Sequence, residues 1–312
     1  MDNSFFDLII IGAGPAGLAA AQYGARSNLS VLVIENAAEG GQVLNINNLE
    51  NYPGVFTGLP GPDFIDTMKK QALAFGAKFV TASVSSIDKI DGKYKLTSPS
   101  GVFSSYAVII ATGAEHRKLA IPGEAELAGA GVSYCATCDG PFFRNRKIVV
   151  VGGGDSACDE ATYLSTLSSD VTLIHRRGQL RAQKAVAERV LSNPNIKVVF
   201  NTVVKEIRGQ GRVQSLLLEN SLTKETSEIN ADGVFIFAGM IPRSDLVEML
   251  PKDESGYIIT DENMETALKG IYCAGDIRSK PFRQIVTAIS DGAIAAHSAG
   301  QYIRELNNED YK

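Results

Sequence analysis

Leu8-Ile9-Ile10-Ile11-Gly12-Ala13-Gly14-Pro15-Ala16-Gly17 decides the fold of this 312-residue chain. Four apolar residues in a row fit a parallel strand buried on both faces. Gly12, Gly14 and Gly17 follow at the spacing that lets a strand turn sharply into a helix and brings backbone N–H groups up to a pyrophosphate. Leu18 to Ala25 reads as that helix. Val31-Leu32-Val33-Ile34 reads as the next strand, closing at Glu35. The result is a complete βαβ unit with an acid about 20 residues past the glycines. Such an acid accepts hydrogen bonds from ribose hydroxyls and repels a 2′-phosphate.

The unit recurs. Ile148-Val149-Val150-Val151 runs into Gly152-Gly153-Gly154-Asp155-Ser156-Ala157, and Asp159 to Leu167 reads as helix. Val171-Thr172-Leu173-Ile174 is the second strand. It ends in His175-Arg176-Arg177, with Arg181 one turn later. Three guanidinium groups and an imidazole favour a phosphate dianion through charge-assisted, often bidentate hydrogen bonds. The first turn therefore suits an unphosphorylated adenosine ribose, as in FAD. The second, with Gly154, Asp155 and Ser156 at its mouth, suits NADPH. A solvated basic surface run is the other reading of the arginines, and their place at a strand end weighs against it.

Two further strands stop where a cofactor would lie: Ala107-Val108-Ile109-Ile110 before Ala111-Thr112-Gly113, and Gly270-Ile271-Tyr272-Cys273-Ala274 before Gly275-Asp276. The second of these lies beyond the second βαβ unit, so the first domain is read as discontinuous. The expectation is an α/β protein with two Rossmann-like, three-layer dinucleotide-binding domains, the second inserted into the first. Residues 1–115 and 245–312 form the FAD-binding domain, and 116–244 the NADPH-binding domain. The crossings fall near Glu115-His116 and Met240-Ile241-Pro242, and both are candidate hinges.

Composition excludes several classes. With 45% hydrophobic and 21% charged residues the chain is ordinary for a globular protein. A net charge of −5 implies neither a nucleic-acid nor an anionic-membrane partner. No apolar run approaches the ~20 residues that span a bilayer. Leu8 to Ala21 is built around glycines, and Met1-Asp2-Asn3 is not a basic leader, so a signal peptide is not expected. The cytoplasm is the expected location.

The four cysteines are Cys135, Cys138, Cys158 and Cys273, too few for a disulfide scaffold. Cys135-Ala136-Thr137-Cys138 has the spacing that lowers one thiol's pKa and lets the other resolve a mixed disulfide. Asp139 follows directly and can donate or take the proton of each half-reaction, or can serve as a turn residue before Gly140-Pro141. A zinc site would need further ligands near the pair, and His116, His175 and His297 are scattered, so no metal is expected. Cys158 and Cys273 read as buried packing residues.

These residues resemble one family, the low-molecular-weight, bacterial-type thioredoxin reductases, over almost the whole chain. The resemblance rests on Gly12-x-Gly14-Pro15-Ala16-Gly17, Gly40-Gly41-Gln42, Glu50-Asn51-Tyr52-Pro53-Gly54 and Ala111-Thr112-Gly113. It continues through Cys135-Ala136-Thr137-Cys138-Asp139-Gly140, the second glycine turn, His175-Arg176-Arg177, Ala274-Gly275-Asp276 and Arg283-Gln284. It implies that Gln42, Asn51, Asp276, Arg283 and Gln284 line FAD, with Asp276 on the ribityl chain. It implies that Cys138 faces the flavin, that Cys135 attacks the substrate disulfide and that Asp139 is the acid–base. It also implies a homodimer, with thioredoxin as protein substrate. Arg243 departs from the family, which more often has asparagine there.

The expected function is an NADPH-dependent thioredoxin-disulfide reductase, a flavoprotein of cell redox homeostasis. The disulfide and the nicotinamide site share the inserted domain, so a rotation between half-reactions is expected. A flavin dithiol oxidase and an NADPH-binding redox sensor are the alternatives. The arginines speak against the first, and the adjacent Cys-x-x-Cys-Asp against the second. Phe142-Phe143, just past the cysteines, is a candidate docking patch for the protein substrate, or in part core.

Overall fold

The computed structural model describes residues 4–46, 49, 51–56 and 58–307. Met1-Asp2-Asn3 and Glu50 lie outside the described residues. The chain divides into two compact units, one of residues 1–115 with 241–312, the other of residues 116–240. The second crossing thus falls at Met240/Ile241, before the 244/245 boundary read from the sequence. Ile241–Ser244 side with the first unit for a local reason. Arg243 N–H donates to Gly113 O at 3.0 Å, and Thr112 Oγ1 donates to Arg243 O at 2.7 Å.

In chain order the first segment carries β1 (Phe5–Ile11), α1 (Pro15–Arg26), β2 (Val31–Glu35), α2 (Gly61–Ala74), β3 (Lys78–Thr81), β4 (Ser86–Ile90), β5 (Lys93–Ser98) and β6 (Gly101–Ile110). A short β7 (Ala114–His116) leads into the inserted unit. That unit holds β8 (Val132–Ser133), α3 (Ala136–Asp139), β9 (Ile148–Gly152), α4 (Asp155–Leu164), β10 (Val171–Ile174), α5 (Lys184–Ser192) and β11 (Ile196–Val199). It continues with β12 (Thr202–Gly209), β13 (Val213–Asn220), β14 (Thr226–Asn230) and β15 (Gly233–Phe237). The chain returns through β16 (Met240–Pro242), which pairs with β7, to β17 (Ile271–Cys273) and the long α6 (Ile285–Leu306).

The first unit's sheet runs β3-β2-β1-β6-β5-β4, with β17 also on β6. Strands β3, β2, β1, β6 and β17 are parallel, while β5 and β4 form an antiparallel hairpin on the first half of β6. Because side chains alternate across a strand, each apolar run is shared between two cores. Leu8, Ile10, Val31, Val33, Ala107 and Ile109 face the helices α1, α2 and α6. Ile9, Ile11, Leu32, Ile34, Val108 and Ile110 face the other way, onto Ile258, Ile277 and Leu250.

The inserted unit repeats this logic. Its parallel sheet is β11-β10-β9-β15-β8. Ile148, Val150, Leu173 and Phe235 pack under α4 and α5. Val149, Val151, Ile174 and Ile236 pack on the antiparallel sheet β12-β13-β14 through Val204, Ile207, Leu216 and Leu218. Each unit therefore places a strand–turn–helix at the carboxyl ends of parallel strands, where open α/β sheets bind ligands.

Candidate active site

The first glycine turn joins β1 to α1. Gly12 has φ +103°, and a Cβ there would lie 2.4 Å from Ala111 O, at the end of the adjoining strand. A Cβ on Gly17 would lie 1.8 Å from Gly12 O, so the helix starts directly on the turn. Gly14 is different: nothing lies within 4 Å of its missing side chain. Gly14 is the N-cap of α1, and no side chain caps it, so the first N–H groups of the helix remain available to an anion. Pro15 and Ala16 start the helix, Ala16 buried. Ala16 O would meet a Cβ on Gly292 of α6 at 2.0 Å, so the two helix backbones lie against each other.

Glu35, at the end of β2, closes over this turn. Its Oε2 accepts from Ala13 N at 2.7 Å, and its Oε1 from Asn36 N at 2.8 Å. Gly40 N donates to Ala13 O at 2.8 Å, which draws Gly41 up to Gly14. Gln42 Nε2 donates to Ala114 O. Asn51 Nδ2 donates to Gln284 Oε1 at 3.0 Å across 233 residues of sequence. Gln284 also caps α6 in a reciprocal pair with Thr287.

Past β17, Gly275 (φ +83°) turns the chain and presents Asp276. Asp276 Oδ1 and Arg283 Nε are buried without a hydrogen-bond partner among the described residues. The Arg283 guanidinium lies 3.6 Å over the Tyr257 ring. Buried polar atoms left unpaired are costly and rare, so they mark where a ligand completes the shell. Burial pushes the Asp276 carboxyl up, and Lys280 and Arg283 pull it back down. An open helix N-terminus, an acid at the end of β2, and a buried acceptor and a buried donor that make no hydrogen bond among the described residues fit a dinucleotide with phosphates and a polyol chain.

The second turn joins β9 to α4. A Cβ on Gly152 would lie 2.5 Å from Ala157 Cβ and 2.6 Å from Phe237 O, repeating the part of Gly12. Gly154, like Gly14, has nothing within 4 Å of its missing side chain and is an uncapped helix N-cap. Arg181 N donates to Gly153 O at 2.6 Å, which folds the arginine segment back over the turn. Asp155 is engaged by Gln183 N at 2.6 Å and Nε2 at 3.0 Å. Ser156 is exposed. Arg176, Arg177 and Arg181 are exposed and pair with no carboxylate among the described residues. His175 is only 6% exposed, and its Nε2 has no partner among the described residues. It lies against Gly153, where a Cβ would come within 2.2 Å of Nδ1. Burial, with the three guanidiniums, holds its pKa below the usual histidine value. His175 therefore floors the turn as a neutral ring, and the positive charge comes from the arginines.

Cys135 and Cys138 are joined as a disulfide, with Cα atoms 5.4 Å apart. Cys135 is the N-cap of the single turn α3, and its Sγ accepts from Cys138 N at 3.2 Å. Thr137 Oγ1 lies 3.4 Å from the same sulfur. Cys138 is exposed and Cys135 half-buried. Asp139 N donates to Cys135 O at 3.2 Å. The Asp139 carboxylate, half-buried, makes no hydrogen bond or ion pair among the described residues. Cys158 and Cys273 are buried as free thiols, and burial pushes Cys158 up to about 11.

Other supports escaped the sequence reading. Ser133 Oγ accepts from Cys135 N at 3.0 Å and reaches Cys135 O at 3.2 Å, so it splints the chain into the disulfide. Glu124, 3% exposed, accepts from Leu119 N, Ala120 N and the Tyr134 hydroxyl at 2.9, 2.6 and 2.7 Å. It ties the residue before Cys135 to the segment that follows the first crossing. Neither belongs to a motif, and a lone Ser or Glu carries no periodic signal.

Comparison with known proteins matches residues 6–292 to the family model for pyridine nucleotide-disulphide oxidoreductases. The thioredoxin reductase of Treponema pallidum is 55% identical, over 97% of this chain and 99% of that protein. That of Bacillus subtilis is 48% identical, over 98% and 97%. The crystal structure of Lactococcus lactis thioredoxin reductase superposes with a TM-score of 0.93 at 43% identity, covering 96% of this chain and 99% of that one.

Proposed function

The chain belongs to the thioredoxin reductases of the pyridine nucleotide-disulphide oxidoreductase family, and from that premise we propose how its parts divide the work. It is a flavoprotein oxidoreductase with FAD and NADPH as cofactors, and it reduces the disulfide of thioredoxin. The first unit holds FAD. Gly12, Gly14, Pro15, Ala16 and Gly17 receive its pyrophosphate, and Glu35 receives the adenosine ribose. Gly41, Gln42, Asn51, Ala111, Thr112, Gly113, Arg283 and Gln284 line the rest, and Asp276 meets the ribityl chain. The inserted unit holds NADPH on Gly154, Asp155 and Ser156. His175 floors that site, while Arg176, Arg177 and Arg181 take the 2′-phosphate. When bound, the flavin relays the electron pair of NADPH to the protein disulfide.

The observation that carries this reading is the Cys135–Cys138 disulfide, placed in the same unit as a glycine turn followed by arginines that pair with no carboxylate among the described residues. In the reduced enzyme the Cys135 sulfur attacks one sulfur of the thioredoxin disulfide, forming a mixed disulfide and releasing the other as a thiolate. Cys138 then attacks Cys135, restoring the internal disulfide and releasing thioredoxin's second sulfur. Asp139 moves the proton that the released thiolate needs. The Cys138 N–H and the Thr137 hydroxyl, already turned to Cys135 Sγ, stabilise negative charge there. Because nicotinamide and disulfide must use one flavin in turn, the inserted unit moves about the two crossings between half-reactions. The enzyme acts as a homodimer in the cytoplasm.

Anaerobic mixing of the yellow protein with NADPH tests the reading. The flavin absorbance is expected to bleach, and oxidised thioredoxin to restore it. In Cys135→Ser or Cys138→Ser the flavin should still bleach while thioredoxin reduction is abolished. A flavin that stays yellow with NADPH would refute the proposed order.

A further inference from the structure

A buried charge network lies behind the proposed flavin-binding loop, and no step above uses it. Asp291, on α6, accepts from Gly275 N at 3.1 Å through Oδ2. Arg278 Nη1 reaches its Oδ1 at 2.9 Å, and Lys280 Nζ its Oδ2 at 2.9 Å. Lys280 also stands 3.5 Å from Asp276 Oδ1 and 3.4 Å from Thr287 Oγ1. Its side chain is only 7% exposed, and that of Asp291 8%.

A lysine is almost never buried this far unless a specific partner requires it. The charges show which partner that is. Asp291 is already neutralised by Arg278, whose Nε is fixed by Thr260 Oγ1 at 2.9 Å and whose Nη2 reaches Asp261 O at 3.3 Å. Lys280, a second cation on Asp291, therefore bridges from it at 2.9 Å to Asp276 at 3.5 Å. The Lys280–Asp276 ion pair leaves Asp276 Oδ1 without a hydrogen bond, so the carboxylate is held in place and still able to accept. Without the ammonium, Asp276 would face burial and the like charge of Asp291, and both work against its ionised form. Arg283 also favours the ionised form, but no ion pair joins it to Asp276 among the described residues: its guanidinium is stacked on Tyr257, and its Nη2 donates to Arg278 O at 3.1 Å.

We propose that Lys280 is a positioning residue for the flavin, holding the Asp276 carboxylate through their ion pair so that it stays turned to accept from the ligand's hydroxyls. The inference rests on the reading that Asp276 contacts the ribityl chain. Lys280 itself touches no substrate and acts only through Asp276.

Equilibrium dialysis of the holoprotein, with released FAD measured by fluorescence, tests the inference on Lys280→Gln, Lys280→Arg, Asp276→Asn and the Asp276→Asn/Lys280→Gln double variant. Lys280→Gln is expected to bind FAD at least tenfold more weakly. Lys280→Arg should stay within threefold of wild type, since it keeps the charge. The double variant should be no weaker than Asp276→Asn alone, because a residue that acts through Asp276 has nothing left to act on. Wild-type affinity in Lys280→Gln beside a weakened Asp276→Asn overturns the inference, and so do losses that multiply in the double variant. If Lys280→Gln fails to fold with FAD present while Asp276→Asn folds, Lys280 supports the fold instead, and the inference is also overturned. Wild-type affinity in Asp276→Asn overturns the reading on which the inference depends, and is told apart by that variant alone.

Discussion

Phe142 and Phe143 are neighbours in sequence with opposite surroundings. Phe142 is 80% exposed, three residues from Asp139. Phe143 packs edge-on against Phe235 at 5.5 Å, and its ring fills the space where a side chain on Gly233 would stand. The sequence left open whether the pair is a docking patch or in part core, because two adjacent aromatics look alike until the backbone turns one inward. Phe142→Ala is expected to raise the KM for thioredoxin tenfold or more, about 1.4 kcal/mol, and to leave NADPH-driven dye reduction unchanged. Phe143→Ala should instead lower stability by about 3 kcal/mol in urea melts. A fall in both activities for Phe142→Ala would place the docking surface elsewhere. Glu160 is a second residue whose surroundings were invisible in sequence. Burial, and then the neighbouring Asp159, pushes its carboxyl from 4.5 up to about 7. The folded protein thus keeps a proton that the unfolded chain releases above about 4.5, so this group's contribution to stability falls as pH rises through that window and is lowest above 7. Glu160→Gln should therefore gain stability over wild type at pH 8 and not at pH 4. Equal differences at both pH values would remove Glu160 as the cause.

The two strand–turn–helix elements were legible because their chemistry is local. The apolar run, the glycine spacing and the strand-end charge all fall within about 30 residues, as the fingerprint requires. What spacing does not reveal is that the glycines play different parts. Gly12, Gly17 and Gly152 are needed by the protein, since a Cβ would strike a backbone oxygen 1.8 to 2.6 Å away. Gly14 and Gly154 face open space, and their φ values of −72° and −95° suit any residue. Gly154→Ala should fold with stability within about 1 kcal/mol of wild type. It should still weaken NADPH binding tenfold or more and leave FAD binding alone. Fluorescence titration with each nucleotide checks this, and an unchanged NADPH affinity would mean that the pyrophosphate does not approach Gly154. At the end of β10, replacing Arg176 and Arg177 with alanine would remove the two charged hydrogen bonds proposed to the 2′-phosphate, worth about 1.5–3 kcal/mol each. The preference for NADPH over NADH should then fall by about two to four decades. Other elements gave little signal. The sheet β12–β14 is antiparallel with one polar face, and Lys280 meets Asp291 only because a turn folds the loop back onto α6. Ten residues of intervening sequence conceal that pair.

At the scale of the molecule, a discontinuous first unit and an inserted second follow from where the parallel strands fall along the chain. β17 completes the first sheet on β6 although the whole inserted unit separates them in sequence. Each unit has two apolar cores of its own. Each also has its own proposed nucleotide, so the two ligands should stabilise different parts of one protein. A ligand that binds only the folded form at 100 times its Kd adds about 2.7 kcal/mol to the unit that holds it. Local opening in the other unit should be little changed, because foldons respond to the contacts that they themselves contain. Hydrogen exchange read by mass spectrometry can separate the two responses. FAD added to stripped protein should protect the amides of β1, α1, β17 and the start of α6. Adenosine 2′,5′-bisphosphate, which carries the 2′-phosphate without a nicotinamide, should protect Gly152–Ala157 and His175–Arg181. It should lose that protection in the Arg176/Arg177 double variant, while FAD protection persists there. If either ligand slowed exchange equally in both units, the chain would unfold as one cooperative body, and the division of the two nucleotides between two units would have to be abandoned.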